Sequence, residues 1–203
     1  FFIQAIKAAL LTESSYKGSG AAGNPKGHFG GSQQVLGAAG DALDPAKLYA
    51  AIAGLFTKME LKDVDPQSDD VMIAVKPTEF YTLLQNEQLI QSTYLTSEGT
   101  KIEGMLLKGY GCPIIRSNNF VGGDIITSHF LSNAANSNAY DGDFSKVVAA
   151  AFSPRALMAG ETIPLETDVF YDKLSKSWFV DAHMSYGVTP NRAEFAGVIR
   201  DEC

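Results

Sequence analysis

The sequence predicts an α+β chain, and three observations carry that prediction. Helical periodicity comes early. Ile3, Ile6 and Leu10 share one face of residues 1–11, and Leu48, Ile52, Leu55, Phe56 and Met59 form an apolar stripe behind Asp44-Pro45. Short continuous apolar runs follow at 71–75 and 146–152, the pattern of buried strands. Near the end, 162–172 and 178–186 are two extended runs joined by 173–177. The second alternates strictly. Trp178, Val180, Ala182, Met184 and Tyr186 fall on one side, and Phe179, Asp181, His183 and Ser185 on the other. That pattern predicts a long hairpin with one buried face.

Composition sets the bounds. The 203 residues suffice for one large or two small domains, and 45% hydrophobic content supports a substantial core. Charged residues are 19%, below the usual quarter, as expected of a surface partly covered by partners. The net charge of −7 argues against a nucleic-acid-gripping domain, which needs clustered Lys and Arg to displace counterions. The two cysteines, Cys112 and Cys203, are too few for a disulfide scaffold and read as free thiols in a reducing compartment. No apolar run reaches the roughly 18 residues of a membrane span, and no signal sequence opens the chain. Phe1 starts inside a helical pattern with no N-cap before it, so an N-terminal portion is expected to be missing.

In order, residues 1–11 are a helix and 12–40 a long loop rich in Gly, Ser, Ala and Asn. Asp44 caps the next helix, Pro45 suits its first position, and it ends near Leu61. After the strand at 71–75, Pro77 starts a short helix packing Phe80, Leu83 and Leu84. Residues 86–103 read as loop. Residues 104–118 read as a strand, a Gly-bounded bend and a second strand. Residues 119–143 form a loop crossing with strand-like Ile125 and Ile126. The strand at 146–152 has small side chains, so something should pack closely on it. Ser153 and Pro154 should begin a helix that Gly160 ends, the hairpin follows, and 192–199 is a last strand.

The search for chemistry finds fragments. Gly18, Gly20 and Gly23 spell a formal GxGxxG, yet a helix precedes it and Asn24-Pro25 follows, the wrong context for a dinucleotide turn. Lys26 lacks the Ser or Thr of a phosphate loop. Asp63, Asp65, Asp69 and Asp70 lack calcium-loop spacing and read as a solvated turn. Cys112, followed by a proline, reads as a small buried residue. His28, His129 and His183 are dispersed and make no metal-ligand pair, and no GxSxG elbow exists. Arg155, Asp168, Asp172, Asp181, His183 and Arg192 could gather at the hairpin, with Asp181 and His183 as a dyad on one strand face. No nucleophile is evidently tuned to use that dyad. The expectation is no catalytic, cofactor-binding or metal residue.

The order of these features resembles the C-terminal part of a tailed-phage major capsid protein, in the podovirus-type branch of the phage/herpesvirus capsid shell fold. The resemblance rests on residues 1–11, where the family's spine helix ends, and on the next helix at 44–61. It rests further on VMIAVKPTEFYTLL (71–84), a strand-then-helix unit with proline between, and on GMLLKGYGCPIIRSNNF (104–120), a strand pair leading to the central domain. The closing module at 151–199 matches as a short helix, a long hairpin, Tyr186-Gly187 and a strand carrying Arg192. The family's N-terminal arm and extended loop precede the spine helix and are absent from this sequence.

The resemblance implies an α+β shell tile with peripheral and axial domains. Residues 1–61 would be peripheral, 62–145 mainly axial, and 146–203 a closing module that returns to the peripheral domain with the hairpin. It implies a non-enzymatic subunit that self-assembles into pentamers and hexamers of an icosahedral virion around packaged DNA, without sequence-specific binding or a membrane. Scaffolding and portal proteins would be partners during assembly in the host cytoplasm. Rings need one tile to accept different neighbours, and Gly-, Ser- and Asn-rich loops adapt at little steric cost. An acidic chain also avoids trapping its DNA cargo. The alternatives are an accessory capsid-binding module, or an enzyme using Asp181 and His183. On the capsid reading, Trp178, Val180, Ala182, Met184 and Tyr186 face the tile's interior, while Asp181 and His183 meet solvent or a neighbouring subunit.

Overall fold

A computed structural model of the chain describes residues 1–11, 30–38, 40–86 and 107–201. Among these residues lie three α-helices, all before residue 84, and ten strands, eight of which follow the last helix. α1 is Phe2–Leu10, β1 Ser32–Val35, α2 Pro45–Glu60, β2 Met72–Val75 and α3 Pro77–Leu83. β3 is Leu107–Gly109, β4 Cys112–Arg116, β5 Ile125–Ile126, β6 Gly142–Asp143 and β7 Val147–Phe152. β8 is Leu157–Asp172, β9 Ser177–Pro190 and β10 Ala196–Arg200.

The centre is a six-stranded mixed sheet in the order β1-β10-β7-β2-β4-β3. β7 lies in its middle, antiparallel to both β10 and β2. Its Ala149, Ala150 and Ala151 are buried, and helices cover the sheet on both sides. Phe152 faces α1, where its ring meets Phe2 at 6.2 Å. Gly197 of β10 faces α2, and a Cβ there would stand 2.8 Å from Leu55 Cδ1. Ala5, Ala8 and Ala9 give α1 a similarly small buried face. Small residues on helix and strand let the layers approach closely, which is the packing that the alanine run at 149–151 predicts.

Local chemistry accounts for several boundaries. The Asp44 carboxylate accepts from Ala46 N at 2.9 Å and Lys47 N at 3.3 Å, and Pro45 occupies the first turn of α2. Tyr110 and Gly111, both at positive φ, make the two-residue turn between β3 and β4. Cys112 is buried, its thiol donates to Pro66 O, and burial raises its pKa.

Three expectations are corrected. The 12–40 stretch was to be loop throughout, yet β1 lies in it, parallel to β10. Its support comes from distant groups. Leu36 N donates to Arg200 O at 2.8 Å, and Lys58 Nζ to Gln33 O at 2.7 Å. The helix expected from Ser153 to Gly160 is one 3-10 turn, Pro154–Ala156. Ser153 caps it, but Leu157, Met158 and Gly160 already pair with Pro190, Thr189 and Gly187, so cross-strand bonding takes the backbone from the helix. The last strand begins at Ala196 rather than Arg192, because Ala193–Phe195 is another 3-10 turn.

Candidate subunit interface

β8 and β9 form a two-stranded sheet of their own, 16 and 14 residues long. Its root is fixed to the body. Tyr140 Oη donates to Val188 O at 3.2 Å and accepts from Val188 N at 3.0 Å. Asn191 N donates to Ala156 O at 2.8 Å, closing the ribbon's base, and α1 packs against the root.

Beyond the root the ribbon is bare. The hairpin itself forms as the sequence predicts, but its apolar face is not buried within the chain. Trp178 is 71% exposed and Val180 74%, with Met184 and Tyr186 also exposed. Alternation correctly groups these side chains on one face, yet among the described residues nothing of the chain covers that face. Pairing of Tyr171 with Trp178 and Val169 with Val180 extends the apolar stripe across both strands.

The opposite face is acidic. It carries Glu166, Asp168, Asp181 and His183, with Phe170 and Phe179 stacked at 5.6 Å. Asp168 stands directly opposite Asp181 in the register, a like-charge pairing that costs stability. His183 Nε2 lies 3.5 Å from Glu166 Oε2, and His183 Nδ1 lies 3.7 Å from Asp181 Oδ2. All three side chains are more than half exposed, so Asp181 and His183 meet solvent here rather than a closed pocket.

The other groups that could have joined them lie elsewhere. Arg155 pairs with Asp69 at 2.5 Å, and Arg192 with Glu194 at 2.7 Å. Both guanidinium groups sit over the Phe195 ring at the hairpin's foot. Asp172 accepts from Leu174 N and Ser175 N in the hairpin turn, and these bonds hold its carboxyl below the usual range. In the acidic turn, Asp65 accepts from Ser68 Oγ and Gln67 N, which lowers its pKa, and Asp69 accepts from Asp65 N. Asp63 and Asp70 hold positive-φ turn positions. Among the described residues, no three His, Cys, Asp or Glu side chains group as metal ligands, and no helix is long and apolar enough to cross a membrane. Gly18, Gly20, Gly23, Lys26, His28 and Cys203 lie outside the described residues.

One feature escapes sequence reading. Asp141 ties down the loop before it, accepting from Ser128 N at 2.9 Å, His129 N at 2.8 Å and Ser132 Oγ at 2.7 Å. The Ser132 hydroxyl and then the His129 amide hold its carboxyl below the usual range. His129 is structural, its Nδ1 accepting from Leu131 N. The ordered loop presents Phe130 at 82% exposure. Phe130, Leu11, Lys7, Tyr140, Tyr186 and Val188 line an open cleft of about 800 Å³ at the hairpin root. The apolar stripe of the ribbon therefore continues into the body.

No family model and no curated protein matches the chain. Solved structures do. The capsid structure of cyanophage P-SCSP1u matches with a TM-score of 0.72 at 16% identity, over 98% of this chain and 59% of that one. The mature capsid of bacteriophage PhiM1 matches with a TM-score of 0.71 at 22% identity, over 98% of this chain and 58% of that one. A structure from Mycobacterium phage Che8 matches with a TM-score of 0.50 at 16% identity, over 83% of this chain and 53% of that one. This chain thus spans 59% or less of the length of these solved chains. It has the α+β fold of the two phage capsid proteins that it matches over 98% of its length.

Proposed function

We propose that this chain is a structural subunit of an icosahedral phage capsid, self-assembling into pentamers and hexamers that enclose packaged DNA. One observation carries the proposal beyond the fold. A long ribbon exposes an aromatic and aliphatic stripe that nothing described in its own chain covers. An isolated two-stranded ribbon is marginally stable in water, and contiguous apolar patches of this kind mark interaction surfaces. A shell tile surrounded by copies of itself meets both requirements.

On this reading the partners are copies of the chain, with scaffolding and portal proteins during assembly in the host cytoplasm, and the product is the virion shell. DNA is enclosed without sequence-specific contact, consistent with the net charge of −7. The ribbon belongs to the peripheral part of the tile, and 62–145 mainly to the axial part. The chain does no chemistry, and the exposed Asp181–His183 pair serves contact rather than catalysis.

Electron microscopy and sedimentation of the complete gene product test the proposal. Closed shells or rings of five and six are expected. A compact monomer under all conditions of salt, pH and concentration overturns it.

A further inference from the structure

We infer that β9 is a self-complementary edge: two copies of the chain pair β9 with β9, antiparallel and centred on Ala182, across a twofold axis. The inference rests on the reading of the chain as a shell subunit, since a closed shell of rings requires twofold contacts between copies.

The first argument is the bare edge. Among the described residues, β9 pairs only with β8, so each strand keeps one free row of N–H and C=O groups. Such a row is a template for another strand unless charge, proline or a bulge blunts it.

The second argument selects the edge. β8 is blunted. Its register shifts between Glu161 and Ile163 and again between Ile163 and Glu166, and Pro164 in that stretch has no N–H to donate. β8 also carries Glu161, Glu166, Asp168 and Asp172. β9 has no such protection from Ser177 to Thr189. It holds no proline, lysine or arginine there, and the additional residues of both shifts belong to β8.

The third argument sets the register. Two identical antiparallel strands on one sheet face must be centred on a single residue. Centring on Asp181 opposes two aspartates, and centring on His183 opposes two histidines. Centring on Ala182 places Asp181 opposite the partner's His183, and the symmetry makes that contact twice. It also places Trp178 opposite the partner's Tyr186 and Val180 opposite the partner's Met184 on the apolar face. Aromatic and aliphatic pairs are favourable cross-strand combinations, and an imidazole N–H can donate to the carboxylate facing it. This register also gives Asp181, which faces Asp168 within its own hairpin, a hydrogen-bond donor on its other side. The product is a four-stranded sheet with one continuous apolar face and an opposite face that carries the charged residues beside Phe170 and Phe179.

Cysteine cross-linking in the complete gene product tests the register, with Cys203→Ser removing that thiol, Cys112 buried, and the parent carrying no ribbon cysteine as the control. Ala182→Cys places two thiols at the twofold, within disulfide reach. It should give a covalent dimer on mild oxidation, whereas Val180→Cys, lying opposite 184, should not. Asp181→Lys or His183→Glu alone should cut the dimer yield at least tenfold, and the double variant should restore it. Shells that form while Ala182→Cys stays uncross-linked, or while Val180→Cys cross-links as well, overturn the inference and leave the capsid reading intact. Absence of any assembly in the unsubstituted protein overturns the capsid reading, and this inference with it.

Discussion

Asp141 shows how much order one carboxylate can impose on a loop. Its three bonds reach back 13, 12 and 9 residues, and they hold the segment that displays Phe130. The bonds lower its pKa, so the folded loop prefers the ionised form. The contribution is present above the unfolded carboxylate value of about 4 and is lost as pH falls through the lower folded value. Asp65, Asp143 and Asp172 are lowered by turn bonds and share that sign. Protection of the Ser128 and His129 amides, measured relative to the intrinsic exchange rate at each pH, should fall in acid before that of the central strands, and Asp141→Asn should produce the same fall at neutral pH. Equal protection in wild type and variant would remove Asp141 from this role. Gly31 is a second single-residue constraint, because a Cβ there would run into the backbone of Ala9 in α1. Gly31→Ala should therefore lower stability by about 1–3 kcal/mol or more, the usual cost of overpacking, read as a fall in Tm. The roles of Asp44 and Cys112 were legible because each depends on nearby residues or on intrinsic polarity. Those of Asp141 and Gly31 were not, because they depend on which segments come together.

At the scale of elements, legibility follows where the stabilising groups lie. α2 could be read from its cap, its proline and its stripe, all within one segment. The alanine-rich β7 and the hairpin also declared themselves, through continuity and alternation. β1 did not. Its sequence, SQQV, has no apolar alternation, and it is a strand because Arg200 O and the Lys58 ammonium complete its bonds from far along the chain. The 154–156 turn failed in the opposite way. Its cap signal is genuine, but the pairing of Leu157 onward with β9 competes for the same backbone. The local part of this account is open to measurement at Asp44. Asp44→Ala removes the acceptor for Ala46 N and Lys47 N and should cost about 1 kcal/mol, typical of an N-cap, while Asp44→Ser should retain most of it. Thermal unfolding of both variants checks it, and identical Tm values for wild type and Asp44→Ala would deny the cap any energetic weight.

The whole molecule divides into a body that satisfies itself and a ribbon that does not. The buried core joins α1, α2, α3 and the six-stranded sheet, drawing residues from 1–61, 62–145 and 146–203 alike. Beyond Leu157, no ribbon residue packs into that core. The alternation at 178–186 thus encoded an apolar face faithfully, but one sequence cannot say whether its cover lies in the same chain. Replacing 157–190 by a short turn is sterically direct, because Asn191 N already bonds Ala156 O. The excised protein should keep the far-UV helix signal of α1, α2 and α3 while losing the strand signal of β8 and β9. On the capsid reading it should no longer assemble, and it should lose about 3–6 kcal/mol, from the orphaned Tyr140 hydroxyl and the lost packing of Leu157 and Val188 at the root. Loss of folding on excision would show instead that the ribbon is part of the core. These 203 residues carry their own reporter, since the one tryptophan among them is Trp178, at 71% exposure. If copies cover the apolar face, its fluorescence should shift to the blue as protein concentration rises, in step with sedimentation. A spectrum that stays red-shifted as the protein self-associates would mean that association uses other surfaces, with this face left to solvent.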